Sequence, residues 1–423
     1  MEWIDAATAA RRLGIKPATL YAYVSRGVLR RRHGEDGRRS LFSAEEIEHL
    51  ARRGRPRSQP PELVIESAVT ALGVDRPYYR GIDVLTLAGT TPFETVAEWL
   101  WTGDPGVWRP TQGAGRGKPE GVRGGEPEGF TWKGPEEAWR FEPEEALRAA
   151  VTAQRGLPDD LLPLDRLQVI TTVLGASDTL RYQLDPVSVA ATGRRLIAGV
   201  VDALPPLSDP QGDSIAERLW SRLCPHPATP ALLTAMEAAL VLLADHELAA
   251  STLAARVAAS AKADPYAVVL TGLGVLGGPL HGGASYGAER LLAEVAEPRD
   301  AARVIAERVR RGERIPGFGH SVYKNGDGRG AALLDLVKRA APGHPRIAAA
   351  EAVLAEMRRR RLPDRNIDFN LALLSAISGM VPGAGEAIFA VARAAGWLAH
   401  AMEEYERGSL LRLRASYTGP PIP

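Results

Sequence analysis

Three short stretches, GGPLHGGA (277–284), GFGHSVYKNGDGR (317–329) and NIDF (366–369), set two histidines, an arginine and an aspartate in glycine-rich or helix-capping surroundings. Glycine lets a backbone approach a bound molecule closely, so such stretches mark where loops converge. The segments between them are rich in Ala and Leu, poor in aromatics and apolar at helical spacing, which predicts a mostly α-helical protein. With 423 residues, 45% of them hydrophobic, the chain can bury a large core and should exceed one domain.

Taken singly, these residues have ordinary explanations. A lone histidine is usually a surface or satisfied core residue, Asp368 is an N-cap, and Arg329 pairs with Asp327 in a turn. Together they fill a set of roles. Joining an acyl thioester to a keto acid needs a base for a weakly acidic α-proton, a donor for the enol oxygen, a donor for the ketone, and cations for carboxylates. Asp368, His281, His320 and Arg329 offer one each. His281 precedes Ala284 to Val295, whose spacing predicts a helix, and the positive helix end should keep the ring uncharged. Asp368 stands before the apolar run Leu371 to Ile377, where the same field should keep a carboxylate ionised. His320 follows Gly317 and Gly319 in a loop, and Arg329 opens the next helix.

Six stretches in consistent order resemble the citrate synthases, from about Glu62 to Pro420. Besides the three above they are PYYRGIDVLTLA (77–88) with TPFETVAEWLWTGD (91–104), ADHELAASTLAARVAAS (244–260), and FAVARAAGWLAHAMEE (389–404) followed by LLRLRASYTG (410–419). The resemblance implies an all-helical fold over 62–423 with a large and a small domain, the small one at about 284–380 closing over the site. It implies that His281 steadies the enol of acetyl-CoA, Asp368 takes the methyl proton and His320 donates to the ketone oxygen of oxaloacetate. His246, Arg329 and Arg393 would hold carboxylates, with Arg412 contributed across a homodimer interface. Lys324 would contact a CoA phosphate along the 315–325 loop. Citryl-CoA would be hydrolysed to citrate and CoA, with no cofactor, because acetyl-CoA is a substrate. A 2-methylcitrate synthase using propanoyl-CoA is the alternative, since one methylene in an apolar pocket is worth only about 1–3 kcal/mol. His246 also reads as a hinge between helices, and Arg393 as a solvating residue on an Ala-rich helix.

The chain departs from the family pattern at four places. Gly328 replaces a proline before Arg329, which should leave that loop less fixed. Leu413 replaces a proline between Arg412 and Arg414, Leu162-Pro163-Leu164-Asp165 loses a histidine, and Asn370 stands where an aromatic is usual. The single Cys224 excludes an internal disulfide and fits a reducing cytoplasm. Cys224 with His226 is too small a set for a structural zinc site, so no metal is expected. No run approaches the roughly 18 apolar residues of a membrane span. The N-terminus carries no secretory apolar core, and the expected location is the cytoplasm.

Residues 1–53 read as a separate module. WIDAATAARRLGIKPATLYAYVSRGVL (3–29) predicts helix, a turn at Gly14, and a second helix begun by Pro17, with Ala9, Leu13, Ile15, Leu20 and Val24 meeting in a small core. Leu29 to Arg32 and Arg38 to Phe42 predict a hairpin wing, and Ser43 with Glu46 a capping box for a helix from Ala44. This resembles the winged helix-turn-helix domains of excisionases and MerR-type regulators. Residues 1–60 hold 13 Lys and Arg against 7 Asp and Glu, a net +6, leaving −5 for the rest of a chain whose total is +1. A basic wing beside a recognition helix is the footprint of a DNA-binding module. Thr19, Tyr21, Tyr23, Ser25 and Arg26 would face the groove or its phosphates, and Arg30, Arg31, Arg32, Arg38 and Arg39 would follow the backbone. The other reading is a solvated basic face used for protein contact. Residues 54–61 form a proline-rich linker. Gly106 to Pro143, dense in Gly and Pro with Trp108, Trp132 and Trp139, reads as an inserted surface loop, its tryptophans available to cover the dimer or the site. The organisation suits an enzyme, or a regulator in which the larger part senses a tricarboxylate or an acyl-CoA. A base such as Asp368 favours the enzyme, since a sensor has no need of one.

Overall fold

A computed structural model describes residues 3–13, 17–25, 29–34, 40–44, 46–47, 64–107, 139–324, 326–415 and 418–419. The chain divides into two compact units, Met1–Glu66 and Ser67–Pro423.

The first unit opens with a strand, Trp3–Asp5, where the sequence pattern had suggested helix. Period-two alternation cannot be told from a helix start over three residues, and it is pairing with Ser40–Ser43 that decides the matter. The helix Ala6–Leu13 follows, its first turn closed by Asp5 Oδ1 accepting from Thr8 N at 2.7 Å. The helix Pro17–Ser25 starts at the proline, as its sequence predicts. The wing forms from Arg31–His33 and Ser40–Ser43, antiparallel with Arg32 opposite Leu41. Ile4, Ala9, Leu20, Leu29, Phe42 and Ile47 make the core, with Leu13 and Val24 packed against it. Ile15 and the Gly14 turn lie outside the described residues.

Among its described residues the second unit is helical apart from a small meander of Thr70–Leu72, Pro77–Tyr79 and Ile82–Asp83 in that order. This sheet was not legible in the sequence, because its strands are two or three residues long. Helix starts follow local chemistry. Proline occupies the first position of Pro163–Ser177, Pro186–Asp202, Pro230–Leu243 and Pro265–Leu276, and Asp185, Thr229 and Asp264 cap three of these. Ser214 and Glu217 form a full capping box for Ile215–Leu223. The 24-residue helix Ala384–Arg407 runs through the core and is almost wholly buried as far as Met402. The helix Pro265–Leu276 presses against it at Gly272, where a Cβ would lie 2.5 Å from the Trp397 ring.

The end of the Gly106–Pro143 stretch is core, not surface loop. Trp139 is 3% exposed and stacks on Trp101 at 5.7 Å, and Phe141 is buried against Gly199. Aromatic residues in a Gly- and Pro-rich run look like loop by composition, and only tertiary packing shows that they anchor it. Trp108 and Trp132 lie outside the described residues.

Candidate active site

The His320 loop and the start of the Asp368 helix are stitched together. Gly319 N donates to Asp364 O at 2.8 Å, Asn366 N to Gly317 O at 3.0 Å, and Asn366 Nδ2 to Gly319 O at 3.0 Å. Gly317, at φ +80°, lies so close to Phe369 that a Cβ would sit 3.0 Å from that residue's Cα. Asn366, not Asp368, caps the helix Ile367–Ser378, its Oδ1 accepting from Asp368 N at 3.0 Å. The Asp368 carboxylate is therefore free for other work. It is 8% exposed, and Oδ1 accepts from Ser285 Oγ at 2.5 Å. Burial pushes its pKa up to about 6, against the lowering effect of Ser285 and Arg329. The helix end favours the anion by about 1–2 kcal/mol at most, so desolvation wins and makes the carboxylate a stronger base than it would be in water.

His281 lies in the turn before the helix Gly283–Glu294. Burial, then the Arg393 charge, pulls its pKa down to about 4. Its Nε2 is 2.8 Å from Ser251 Oγ, which also receives the Trp397 indole N–H at 3.2 Å. An indole can only donate, so the serine keeps its own hydrogen free for Nε2, an arrangement suited to a ring proton on Nδ1. His320 has the other tautomer. Its Nδ1 accepts from Val322 N at 3.0 Å and Tyr323 N at 3.1 Å, which leaves the proton on Nε2. Burial, then Arg329, lowers its pKa to about 4.

His246 meets His320 edge-on at 5.2 Å, and its Nε2 is 2.9 Å from the Tyr323 hydroxyl. Burial and the neighbouring arginines hold its pKa well below the usual histidine value. It occupies the turn between Pro230–Leu243 and Ala250–Ser260, so the hinge position and the site position coincide. Three uncharged imidazoles thus stand beside one basic carboxylate.

The cations differ in availability. Arg329 is clasped by Asp327, Nε to Oδ1 at 3.0 Å and Nη2 to Oδ2 at 2.9 Å, leaving Nη1 outside that clasp. Asp327 also accepts from Ile367 N, which ties this pair to the Asp368 helix. Gly328 donates its N–H to Asp75 O at 2.8 Å, a bond no proline could make. A Cβ there would come within 3.0 Å of Asp75, so the loop expected to be loose is fixed from outside. Arg393 is 1% exposed, and beyond Nε to Leu243 O at 2.8 Å neither Nη has a hydrogen-bond partner among the described residues. Burial lowers its pKa to about 10. A guanidinium that stays charged in such a place is completed by an anion. Arg393 does not solvate a helix face.

The structure brings His246, His281, His320, Arg329, Asp368 and Arg393 together in one chain. Arg412 is exposed in the tail beyond the long helix, and Lys324 is exposed with Nζ 3.5 Å from His320 O. Sequence reasoning missed Ser251, Ser285, Tyr323 and Trp397, whose hydrogen bonds or ring contacts orient the histidines and the base; Ser251 lies inside ADHELAAS, which was the available signal. Asn370 is fully buried, with Nδ2 donating to Asn366 O at 2.9 Å, so it braces the cap.

The basic unit is arranged differently. Thr19 and Tyr21 are exposed, but Tyr21 leans edge-on to Phe42 at 6.1 Å and Tyr23 packs against the core. Arg30 is engaged by Glu46, Nε to Oε1 at 2.5 Å and N to Oε2 at 3.0 Å, so Glu46 serves Arg30 and not a full capping box. Arg32 lies over the Trp3 ring at 5.3 Å, and Arg31 is exposed on the same strand. Arg26, Arg38 and Arg39, and the side chain of Ser25, lie outside the described residues.

Comparison with known proteins accords with this geometry. The profile of the citrate synthase C-terminal domain matches residues 62–414, and that of a helix-turn-helix domain matches 3–55. Citrate synthase 2 of Bacillus subtilis (strain 168) is 34% identical over 279 residues, covering 62% of this chain and 74% of that protein. A 2-methylcitrate synthase of Mycobacterium tuberculosis (strain ATCC 25618 / H37Rv) is 29% identical over 354 residues, 81% of this chain and 84% of the relative. Citrate synthase from Thermotoga maritima superposes with a TM-score of 0.66 at 25% identity over 87% of this chain and 98% of the other. The Thermoplasma acidophilum citrate synthase, solved as a ternary complex with carboxymethyl coenzyme A and oxaloacetate, shares the fold with a TM-score of 0.67 at 22% identity over 86% and 96%. The chain is a member of the citrate synthase family of acyltransferase-type enzymes, with a helix-turn-helix domain at its N-terminal end.

Proposed function

We propose that the protein condenses acetyl-CoA with oxaloacetate to give citrate and CoA. The observation that carries this reading is Arg393, a buried guanidinium with two nitrogens unpartnered among the described residues, in the same cluster as a base of pKa about 6. An enzyme that must hold a dicarboxylate next to a forming carbanion needs that pair. Asp368 takes an α-proton from the thioester, and His281 Nδ1–H steadies the enol oxygen. His320 Nε2–H polarises the ketone, while His246, Arg329 and Arg393 hold the carboxylates. The enol carbon attacks the ketone carbon, and water then cleaves the thioester. No cofactor takes part.

CoA would run along the 315–325 loop towards Lys324. A cavity of about 120 Å³ lies beside that loop between Phe318, Met357, Arg358, Leu362 and Arg365, with two guanidinium groups suited to phosphates. The region of about 284–380 would close over the substrates, and a homodimer would bring Arg412 of a second copy to the carboxylates. No described helix is long and apolar enough to cross a membrane. We place the working protein in the cytoplasm, with residues 1–53 as a DNA-binding module joined through the linker 54–61. That module leaves room for a second reading, a regulator whose larger unit senses substrate.

The deciding experiment follows release of free CoA thiol by the purified protein with oxaloacetate and either acetyl-CoA or propanoyl-CoA. Faster turnover with acetyl-CoA supports the proposal. Preference for propanoyl-CoA makes it a 2-methylcitrate synthase, and no turnover by a folded protein leaves the sensor.

A further inference from the structure

Behind the substrate cluster lies a buried line of charged and polar groups that no chemical step uses. Asp245, His400, Arg256 and Glu404 are all 0% exposed. Arg256, on the helix Ala250–Ser260, reaches Glu404 Oε1 with Nε at 2.6 Å and Glu403 Oε2 with Nη1 at 2.6 Å. The same Nη1 is 2.6 Å from His400 Nδ1, and His400 Nε2 is 3.2 Å from Asp245 Oδ2. A guanidinium never accepts, so His400 Nδ1 must, and the ring's proton stands on Nε2, directed at Asp245. Asp245 Oδ2 also accepts from Glu247 N at 3.1 Å. Between these two anchored residues lies His246.

The long helix clasps this turn along one stripe. Arg393 Nε donates to Leu243 O at 2.8 Å, Gly396 N to Ala244 O at 3.0 Å, and His400 to Asp245. Positions 393, 396 and 400 share a helix face. At Gly396 a Cβ would lie 2.3 Å from Asp245 Oδ1, so the carboxylate fills the place a side chain would take. Three residues before Asp245's partner His400, and on the acyl side of the cluster, Trp397 holds His281 through Ser251. The seam between the two helices therefore has two separate arms, one reaching His281 and one reaching His246 and Arg393. A buried ionic line adds little stability over an apolar seam of equal volume, so its effect lies in geometry.

We propose that Asp245, His400 and Arg256 are positioning residues for the keto acid, fixing the His246 turn against the helix that carries Arg393. This rests on the keto acid reading of the cluster. His400→Leu should raise the KM for oxaloacetate at least tenfold while the KM for acetyl-CoA stays within twofold. His400→Gln should restore the wild-type values, because a carboxamide donates to Asp245 and accepts from Arg256 as the ring does. Equal rises in both KM values, an unchanged KM for oxaloacetate, or failure of glutamine to restore function would each overturn the relay, whereas absence of wild-type turnover would instead strike the keto acid reading. Imidazole ¹⁵N resonances of the full-length protein test the relay without turnover. Nε2 should carry the proton, and the His400 signals should move when oxaloacetate is added. A proton on Nδ1, or signals unmoved at saturating oxaloacetate, would refute it.

Discussion

Arg393 and Arg30 show how differently the two units use positive charge. Arg393 is sealed in the core with two nitrogens unpartnered among the described residues, while the Arg30 side chain is 82% exposed and already engaged by Glu46. Leaving a buried charged donor unsatisfied costs several kcal/mol, whereas an exposed ion pair is worth about 0–1 kcal/mol. The expensive arrangement persists only where something completes it. Net charge favours the small unit, +4 over residues 1–66, yet the cation most committed to a ligand lies in the larger unit, which carries −3.

The largest effect should come from Asp368, the base beside that cation. Asp368→Asn keeps the shape and the Ser285 contact but cannot take a proton, so kcat should fall by roughly 10³ to 10⁴, within the range for a general base, with oxaloacetate affinity nearly unchanged. Stability should move the other way. The folded pKa of about 6 lies above the ordinary 3.8, so the protonated form is favoured by folding, and that stabilisation is lost as pH rises from 3.8 through 6. Above pH 6 the asparagine variant should be the more stable by up to about 3 kcal/mol, and below pH 4 the two should melt alike. Substantial residual turnover would remove Asp368 from its role.

Arg393→Met sharpens the contrast with Arg30. The KM for oxaloacetate should rise roughly a hundredfold or more, in keeping with the loss of a desolvated charge pair of about 3 kcal/mol. The ligand-free protein should melt no lower than wild type, because an unpaired buried charge has been replaced by an apolar chain. A sharp fall in melting temperature would mean that Arg393 is a structural cation and the comparison fails.

The pH profile is a gentler test. With Asp368 as base, kcat/KM should drop tenfold per unit below about pH 6. His281 and His320, held at about 4, are already uncharged across that range, so no second limb should appear between pH 6 and 8. Loss of rate as pH rises through 7 would indicate that an imidazolium takes part.

These contrasts also mark what the sequence could convey. Glycine spacing and helix-capping signals located His281, His320, Asp368 and Arg329, because loops and caps are set by local backbone chemistry. The pairing of Arg329 with Asp327 is local and was legible as a turn contact. That Arg393 stays bare among the described residues was not, because it depends on which helix faces meet across the core. The Ser251–Trp397 and Asp245–His400 contacts join residues about 150 positions apart, beyond the reach of any periodicity. In the small unit the order of helices and wing was readable. The strand Trp3–Asp5 and the diversion of Glu46 to Arg30 depend on pairing across the fold.

The smallest effect should follow removal of residues 1–60. That segment includes a core of its own, from Ile4 to Ile47, and every side chain gathered in the substrate cluster comes from Asp245 to Arg393. Turnover of the shortened chain should therefore stay within about twofold of the full-length protein, while any retardation of duplex DNA in a gel should vanish with the wing. Retardation should also weaken steeply with salt, since contacts to phosphate release counterions. A tenfold loss of turnover would show that the small unit completes the catalytic assembly. The two units would then share one task, and the difference between Arg393 and Arg30 would reflect burial alone.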